Sequence, residues 1–175
     1  LEEVDGLSVK YYPGIGQHGF QFNCANEYLK DTRLRQAVSY AIDRTTIVNT
    51  LYNTAAGEVP STAPVNPNVW GYYDFGVIQQ DQAKAKELMA EAGHSDGFEF
   101  SIMVYEGYAK ALASAEMIVS QLAEVGITAT IEVVDNAGFN ASMGNRKTPG
   151  ENFPWGMFIM GYGPSSVDAD ELRRT

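Results

Sequence analysis

The feature that most constrains the fold is a strand–helix–strand pattern between residues 98 and 133. Apolar residues occupy every second position over 98–104, recur every three or four residues over 108–125, and alternate again over 127–133. A helical connection between two strands places them parallel, with a right-handed crossover. The pattern therefore predicts an α/β fold whose mainly parallel sheet is flanked by helices.

Other segments add to this unit on both sides. Asp31 and Asp43 are suited to cap helices over roughly 32–42 and 44–53, since a carboxylate accepts hydrogen bonds from the first helical amides. Further elements are predicted from periodicity: strands at 7–12 and 19–23, a helix at 81–92, one or two helical turns near 139–143 and a helix start at 168. The run WGMFIMGY at 155–162 is almost continuously apolar, which is typical of a strand buried on both faces.

Residues 54–80 have no helical period and are rich in proline, glycine, asparagine and tyrosine. Long irregular segments in compact domains are often functional. Two interpretations remain for the aromatic side chains in this segment: they pin it to its own domain, which we favour, or they contact a ligand. The residues concerned are Trp70, Tyr72, Tyr73 and Phe75.

Charge and cysteine content exclude several classes of protein. The chain has 12 Lys and Arg against 22 Asp and Glu, a formal net charge of −10, which is unfavourable for contacts with nucleic-acid phosphates. No apolar run approaches the ~20 residues of a transmembrane helix. One cysteine and two histidines offer few ligands for a zinc site. We expect no metal and no cofactor.

The sequence contains no nucleophile elbow, phosphate-binding loop or HExxH motif. Cys24 and His18 lie six residues apart without a third orienting group, so an inert cysteine is favoured over a catalytic pair. Asp168 and Asp170 could form a carboxylate pair, contribute to a calcium site or cap a helix. Ligands of α/β proteins bind beyond the carboxyl ends of strands, which directs attention to residues 162–170.

Residues 31–52 (DTRLRQAVSYAIDRTTIVNTLY) strongly resemble the signature of family 5 extracellular solute-binding proteins. These are the oligopeptide, dipeptide, nickel and glutathione receptors of ABC importers. Three further segments resemble the family in the expected order: 81–100, 115–135 and 158–170. The resemblance implies one lobe of a two-lobe periplasmic-binding-protein type II fold, with the ligand held between the lobes.

The resemblance also implies an organisation and a setting. Residues 1–23 would be strands joining from the first lobe, and residues 24–175 the second lobe, ending before the chain returns to the first. The protein would be a binding protein without catalytic activity, in the periplasm or held outside the membrane as a lipoprotein. Its partners would be a peptide or small-molecule ligand and an importer permease. No nucleic acid is expected, and membrane contact only through the permease or a lipid anchor.

Two positions bear on the ligand class. Dipeptide receptors of the family hold the ligand's ammonium with an aspartate and its carboxylate with an arginine; the corresponding positions here are Ser165 and Tyr105, with Lys110 the nearest cation. Instead, this part of the sequence resembles the corresponding segment of the glutathione receptors, which is rich in serine and ends in an acidic triplet. The matching residues here are Ser165, Ser166 and Asp168–Asp170, and the Gly- and Lys-rich stretch 144–154 is similar in character.

We therefore expect capture of a dipeptide, an oligopeptide or glutathione. The predicted ligand contacts are Tyr162, Gly163, Ser165, Ser166 and Asp168, with Tyr105 and Asn136 as further contacts. The missing ionic anchors leave a sugar or another neutral solute as the alternative ligand. A carboxylate-dependent enzyme using Asp168 and Asp170 is a distant alternative.

Overall fold

A computed structural model describes residues 10, 12, 14–52, 54, 58–144 and 153–162. Four strands and five helices occur in these ranges. None of these helices is long and apolar enough to cross a bilayer. In chain order the elements are β1 (Gln17–Phe22), α1 (Thr32–Ala41), α2 (Arg44–Leu51), α3 (Gln82–Glu91), β2 (Phe98–Tyr105), α4 (Ala109–Ala123), β3 (Ile127–Val134), α5 (Asn136–Gly144) and β4 (Met157–Tyr162).

The four strands form one sheet in the order β1–β4–β2–β3. Strand β2 pairs in parallel with β3 on one side and with β4 on the other, whereas β1 pairs antiparallel with β4. The predicted parallel strand–helix–strand unit and the mainly parallel sheet are therefore confirmed. The parallel strands end together, and the antiparallel strand begins there, with Gln17 opposite Tyr162. We call this edge the carboxyl edge.

The main core lies on one face of the sheet. Alternate residues of β2, among them Ile102 and Val104, pack there against α4 and form one core cluster with the buried faces of α1 and α3. Fully burying an aliphatic side chain of this size contributes roughly 1.5–3 kcal/mol to the free energy of unfolding. A smaller cluster of Met103, Trp155 and Phe158 covers the opposite face. Residues on both faces of β2 are thus buried, as its almost continuous apolar pattern requires.

The helix starts follow the expected local chemistry. The Asp31 carboxylate accepts from the Arg33 amide at 2.8 Å, and Asp43 accepts from Thr46 at 2.9 Å. The bond to the Arg33 side chain, more than the one to its amide, lowers the pKa of Asp31 to about 2. Helix α5 is longer than the one or two turns predicted, because Asp135 caps it through a 2.7 Å bond from the Gly138 amide. The strand predicted at 7–12 and the helix start at 168 lie largely or wholly outside the described residues.

The expectation that aromatic side chains pin the irregular segment is wrong for three of the four. Trp70, Tyr73 and Phe75 are 76%, 68% and 69% exposed. Side-chain amides hold the segment instead, with Asn66 donating to the Gly16 carbonyl at 2.9 Å and Asn68 to that of Gly14 at 3.0 Å. Backbone carbonyls near β1 therefore help to fix its course, and the rings of Trp70, Tyr73 and Phe75 lie in solvent.

The edge opposite the carboxyl edge offers a test of this architecture. Gly97, just before β2, has φ of +94°, and a Cβ there would lie 2.0 Å from the Gly126 carbonyl oxygen. Gly93 has φ of +84° but nothing within 4 Å of such a Cβ. We predict that Gly93→Ala lowers the free energy of unfolding by about 1 kcal/mol, and that Gly97→Ala lowers it by clearly more. Equilibrium urea denaturation measures both, and equal losses would contradict the close backbone approach.

Candidate ligand-binding site at the carboxyl edge

The carboxyl edge is the natural place to look for a site. Strands β2, β3 and β4 end there at Tyr105, Val134 and Tyr162. Connections after parallel strands are not constrained by sheet pairing, so their side chains can be assembled around a ligand. Two concave surfaces meet at this edge, a small pocket and a larger groove.

The small pocket has a volume of about 160 Å³. It is lined by Tyr105, Tyr108, Asn136, Phe139 and Met160. The Tyr105 ring centroid lies 5.7 Å from that of Tyr108 and 5.2 Å from that of Phe139, so three aromatic rings form continuous walls. The Asn136 side chain adds an amide that can both donate and accept. An apolar pocket of this volume with one orienting polar group can take one side chain or group of a larger ligand.

Backbone hydrogen bonds fix the walls of this pocket. The Glu106 amide donates to the Val134 carbonyl at 3.0 Å, which ties the turn after β2 to the end of β3. The Tyr108 amide donates to the Tyr105 carbonyl at 3.1 Å, and the Phe139 amide donates to that of Asp135 at 2.9 Å. The aromatic residues are therefore positioned by short turns whose backbones are hydrogen-bonded.

The larger groove has a volume of about 1380 Å³ and runs between β1, α2, α4 and residues 58–68. At the carboxyl edge, the His18 ring lies edge-on to Tyr52 at 5.7 Å and to Tyr108 at 5.9 Å. A Cβ on Gly161 would lie 3.3 Å from Tyr108 Cε1 and 3.6 Å from His18 Nε2. Because Gly161 has no side chain, the rings of Tyr108 and His18 can lie close to the backbone of β4.

Two cationic side chains, Lys110 and Arg44, and the Glu58 carboxylate line this groove. Lys110 Nζ lies 4.6 Å from the Tyr52 ring centroid and 3.9 Å from Glu58 Oε2. The Arg44 guanidinium donates to the Ser39 carbonyl at 2.9 Å, and burial lowers its pKa to about 10. A protein with a net charge of −10 therefore presents two cationic side chains to one cavity.

The structure brings some of the predicted contacts together and does not describe others. Tyr105 and Asn136, which lie 31 positions apart in sequence, line the same pocket. The backbone of Tyr162 ends β4 at the carboxyl edge. The remaining predicted contacts lie outside the described residues: Gly163, Ser165, Ser166 and Asp168.

Sequence reasoning missed Tyr108, Phe139 and His18 at this edge. Tyr108 lies in the turn after β2, a position from which it could have been found, because turns after parallel strands face the same edge. His18 was considered only with Cys24; the two lie near opposite ends of β1, and Cys24 is exposed. Within the described ranges, no group of three or more His, Cys, Asp or Glu could hold a metal ion.

The position of His18 beside the rings of Tyr52 and Tyr108 predicts that the stability of the fold depends on pH. Burial lowers the pKa of His18 below 6.5, the Lys110 charge lowers it further, and Glu58 opposes both. Because the unfolded chain then binds the proton more readily, the free energy of unfolding should fall as pH decreases from about 6.5 through the pKa of the folded state.

An NMR titration of the His18 ring in wild type, Lys110→Gln and Glu58→Gln tests the causes. We expect Lys110→Gln to raise the His18 pKa and Glu58→Gln to lower it. In urea denaturation, His18→Gln should remove this part of the pH dependence. An unshifted His18 pKa in both charge variants would contradict the proximity of these groups.

Known binding proteins are similar to this chain over nearly all of its length. The chain is 30% identical to the glutathione-binding protein GsiB of Salmonella choleraesuis (strain SC-B67), over 97% of this chain and 32% of that protein. The periplasmic binding protein DppA from Helicobacter pylori, solved in complex with the peptide STSA, superposes with a TM-score of 0.81 at 25% identity, over 98% of this chain and 31% of its own.

A third similar protein carries a different ligand. The binding protein AgaA from A. tumefaciens R10, in complex with agropinic acid, gives a TM-score of 0.70 at 30% identity, covering 90% of this chain and 31% of its own. The chain thus spans about a third of the length of the proteins it matches.

The family comparison covers the whole sequence. The matching family is described as bacterial extracellular solute-binding proteins, family 5, middle region. This description confirms the resemblance found in the sequence and the expected location outside the cytoplasm. Since the match extends over residues 1–175, the chain belongs to the family 5 bacterial extracellular solute-binding proteins.

Proposed function

We propose that the full-length protein containing this chain, called the parent protein below, is the substrate-binding component of an ABC importer. It captures a peptide or peptide-like solute outside the cytoplasmic membrane. The observation that carries this proposal is the aromatic pocket at the carboxyl edge, which combines Tyr105 and Asn136. Similar proteins are named for glutathione or were solved with a peptide. The role is binding rather than catalysis, in keeping with the family description.

The pocket suits the chemistry of a peptide. The rings of Tyr105, Tyr108 and Phe139 offer apolar faces for a ligand side chain, and burial of those faces supplies affinity. The Asn136 Nδ2 can donate to the carbonyl of a peptide group, and its Oδ1, which accepts from Asn140 Nδ2 at 3.0 Å, keeps a second lone pair for a peptide N–H. Five further contacts are proposed where β4 ends and in the residues that follow it: Tyr162, Gly163, Ser165, Ser166 and Asp168.

The proposal includes a second lobe. Residues 24–175 would form the ligand-binding lobe, and residues 1–23 would join it to the first lobe. Closure of two lobes buries a ligand that one open pocket cannot enclose. The partners are the ligand and the importer permease, and contact with the membrane is through the permease or a lipid anchor.

A sugar or another neutral solute is the alternative ligand. Tyr105 and Ser165 stand where dipeptide receptors of this family carry charged anchors, which removes one reason for a zwitterionic ligand. The relative solved with agropinic acid shows a ligand other than a peptide in a similar protein.

Native mass spectrometry of the full-length parent protein, purified without denaturation, distinguishes these ligands. A retained peptide or glutathione mass would support the proposal. A retained sugar mass would show that the ligand is a neutral solute and would leave the receptor role unchanged. Turnover of a bound compound, abolished by Asp168→Asn or Asp170→Asn, would overturn the binding role.

Side-chain truncation tests the pocket. Tyr105→Ala and Asn136→Ala should each weaken binding of the retained ligand by about tenfold or more, because each removes a wall or an orienting hydrogen bond. Calorimetric titration of the parent protein measures the loss. The matched control is Tyr73→Ala, which removes an exposed tyrosine that lines neither cavity. Equal affinities in all three variants would show that the ligand does not use this pocket.

A further inference from the structure

We propose that the larger groove is a docking surface for a segment of the parent protein outside residues 1–175, and that this segment brings a carboxylate to Arg44. The inference rests on the proposed function in one respect, that the chain is part of a longer receptor. The chain spans about a third of the length of the proteins it matches. A parent of comparable length therefore has about twice as many residues outside this chain as inside it.

The floor of the groove belongs to the hydrophobic core. Four isoleucines line the groove and are also members of the main core cluster: Ile42, Ile47, Ile118 and Ile159. A volume of about 1380 Å³ exceeds the roughly 300–1,000 Å³ of ordinary small-ligand pockets. A ligand that left such a groove would return part of the core to water, whereas a segment of the same protein covers it permanently. The groove therefore resembles a place where one more element packs.

The outer edge of the sheet borders the same groove. Strand β1 is the last strand on its side, and within the described residues it pairs only with β4. Every residue in the range 16–21 lines the groove. Because successive side chains of a strand point to opposite faces, a lining of consecutive residues places the groove along the edge of β1. Backbone groups at a sheet edge can pair with a further strand.

The Arg44 side chain indicates the chemistry of the segment that docks. It lies half-buried in the groove, 5.2 Å from the centroid of the Phe20 ring. Its guanidinium donates to the carbonyls of Ser39 and Ile42, at 2.9 and 3.4 Å, and to the Ser39 hydroxyl at 2.8 Å. All three acceptors are neutral, although a guanidinium has five N–H donors and is best matched by a carboxylate.

No carboxylate of the described residues pairs with Arg44. Its neighbour Asp43 accepts instead from the Thr46 amide at 2.9 Å and from the Thr46 hydroxyl at 2.7 Å. Glu58, across the groove, lies 3.9 Å from Lys110. Burial lowers the pKa of Arg44 to about 10, whereas an adjacent carboxylate would raise it. A half-buried cation of this kind is stabilised by a counter-charge, which the docking segment would bring.

Photo-crosslinking in the full-length parent protein tests the docking surface. The probe is p-benzoylphenylalanine in place of Gln21, an exposed residue of β1 that lines the groove. The matched control carries the probe at Thr128, an exposed residue of the outermost strand on the other side of the sheet, β3. In isolated monomers, we expect position 21 to cross-link to a peptide outside residues 1–175, and position 128 not to reach that peptide.

Other cross-linking results would overturn the proposal. Cross-links from position 21 to residues 1–175 alone, to a second copy, or to nothing would each show that no outside segment fills the groove. The same peptide captured from position 128 would show a reaction without specificity. A cross-linked peptide that contains no Asp or Glu would remove the proposed partner of Arg44.

Hydrogen exchange of the full-length parent protein tests the ion pair. In Arg44→Gln, the amides of residues 17–22 should exchange about tenfold or more faster, because a buried carboxylate loses its partner. Neutralising the acidic residue of the cross-linked peptide should give the same increase, and both changes together no further increase. The matched control is Arg33→Gln, since Arg33 pairs with Asp31 on α1. Unchanged exchange in Arg44→Gln, or additive increases in the double variant, would contradict the pairing.

These outcomes are separate from those for the proposed function. A parent protein that retains a peptide but gives no such cross-link keeps its receptor role and loses the docking surface. A parent protein that cross-links as expected but binds no solute keeps the docking surface, and the receptor proposal is then wrong.

Discussion

The parallel pairing of β2 with both of its neighbours is the constraint on which the rest of the structure depends. Ile102, Met103 and Val104 are each 1% exposed or less, so β2 must lie inside the sheet with both faces covered. Strands β3 and β4 then run in the same direction on either side, and their carboxyl ends meet at one edge. That coincidence of strand ends brings together Tyr105 and Asn136, although they belong to different connections.

The local parts of this arrangement could be predicted from the sequence. The strand–helix–strand unit follows from periodicity within 98–133, and the helix starts at Asp31 and Asp43 follow from side-chain caps two or three residues from their partners. Tyr105 and Asn136 are predicted from the resemblance to the family, and their position at the ends of β2 and β3 is where α/β proteins bind ligands.

The non-local parts could not be predicted in this way. His18 reaches Tyr108 only because β1 pairs antiparallel with β4, whose sequence lies about 140 residues later, and because Gly161 leaves room for both rings. Composition likewise could not show that Trp70 and Phe75 are exposed, since the course of their segment is set by asparagine amides bonded near β1. In both cases the outcome depends on contacts distant in sequence, for which periodicity gives no signal.

Among the described residues, the carboxyl edge combines the aromatic walls of the small pocket with the charged side chains of the groove, Lys110, Arg44 and Glu58. Apolar walls of this kind would supply affinity without selecting charge. The neighbouring groove differs, because these three charged side chains all line it. The Lys110 side chain is 49% exposed here, so solvent screens its ion pair with Glu58. Closure of a second lobe would exclude that solvent and strengthen the same contact.

Hydrogen exchange of the full-length parent protein, with and without the ligand identified by native mass spectrometry, tests the central claim most directly. Binding at the carboxyl edge predicts protection of amides in residues 105–112 and 135–139, where the pocket and the start of α4 lie. The opposite edge, residues 93–97 and 124–126, should exchange at unchanged rates. Protection confined to the opposite edge, or to neither, would contradict a ligand site at the carboxyl ends of β2, β3 and β4.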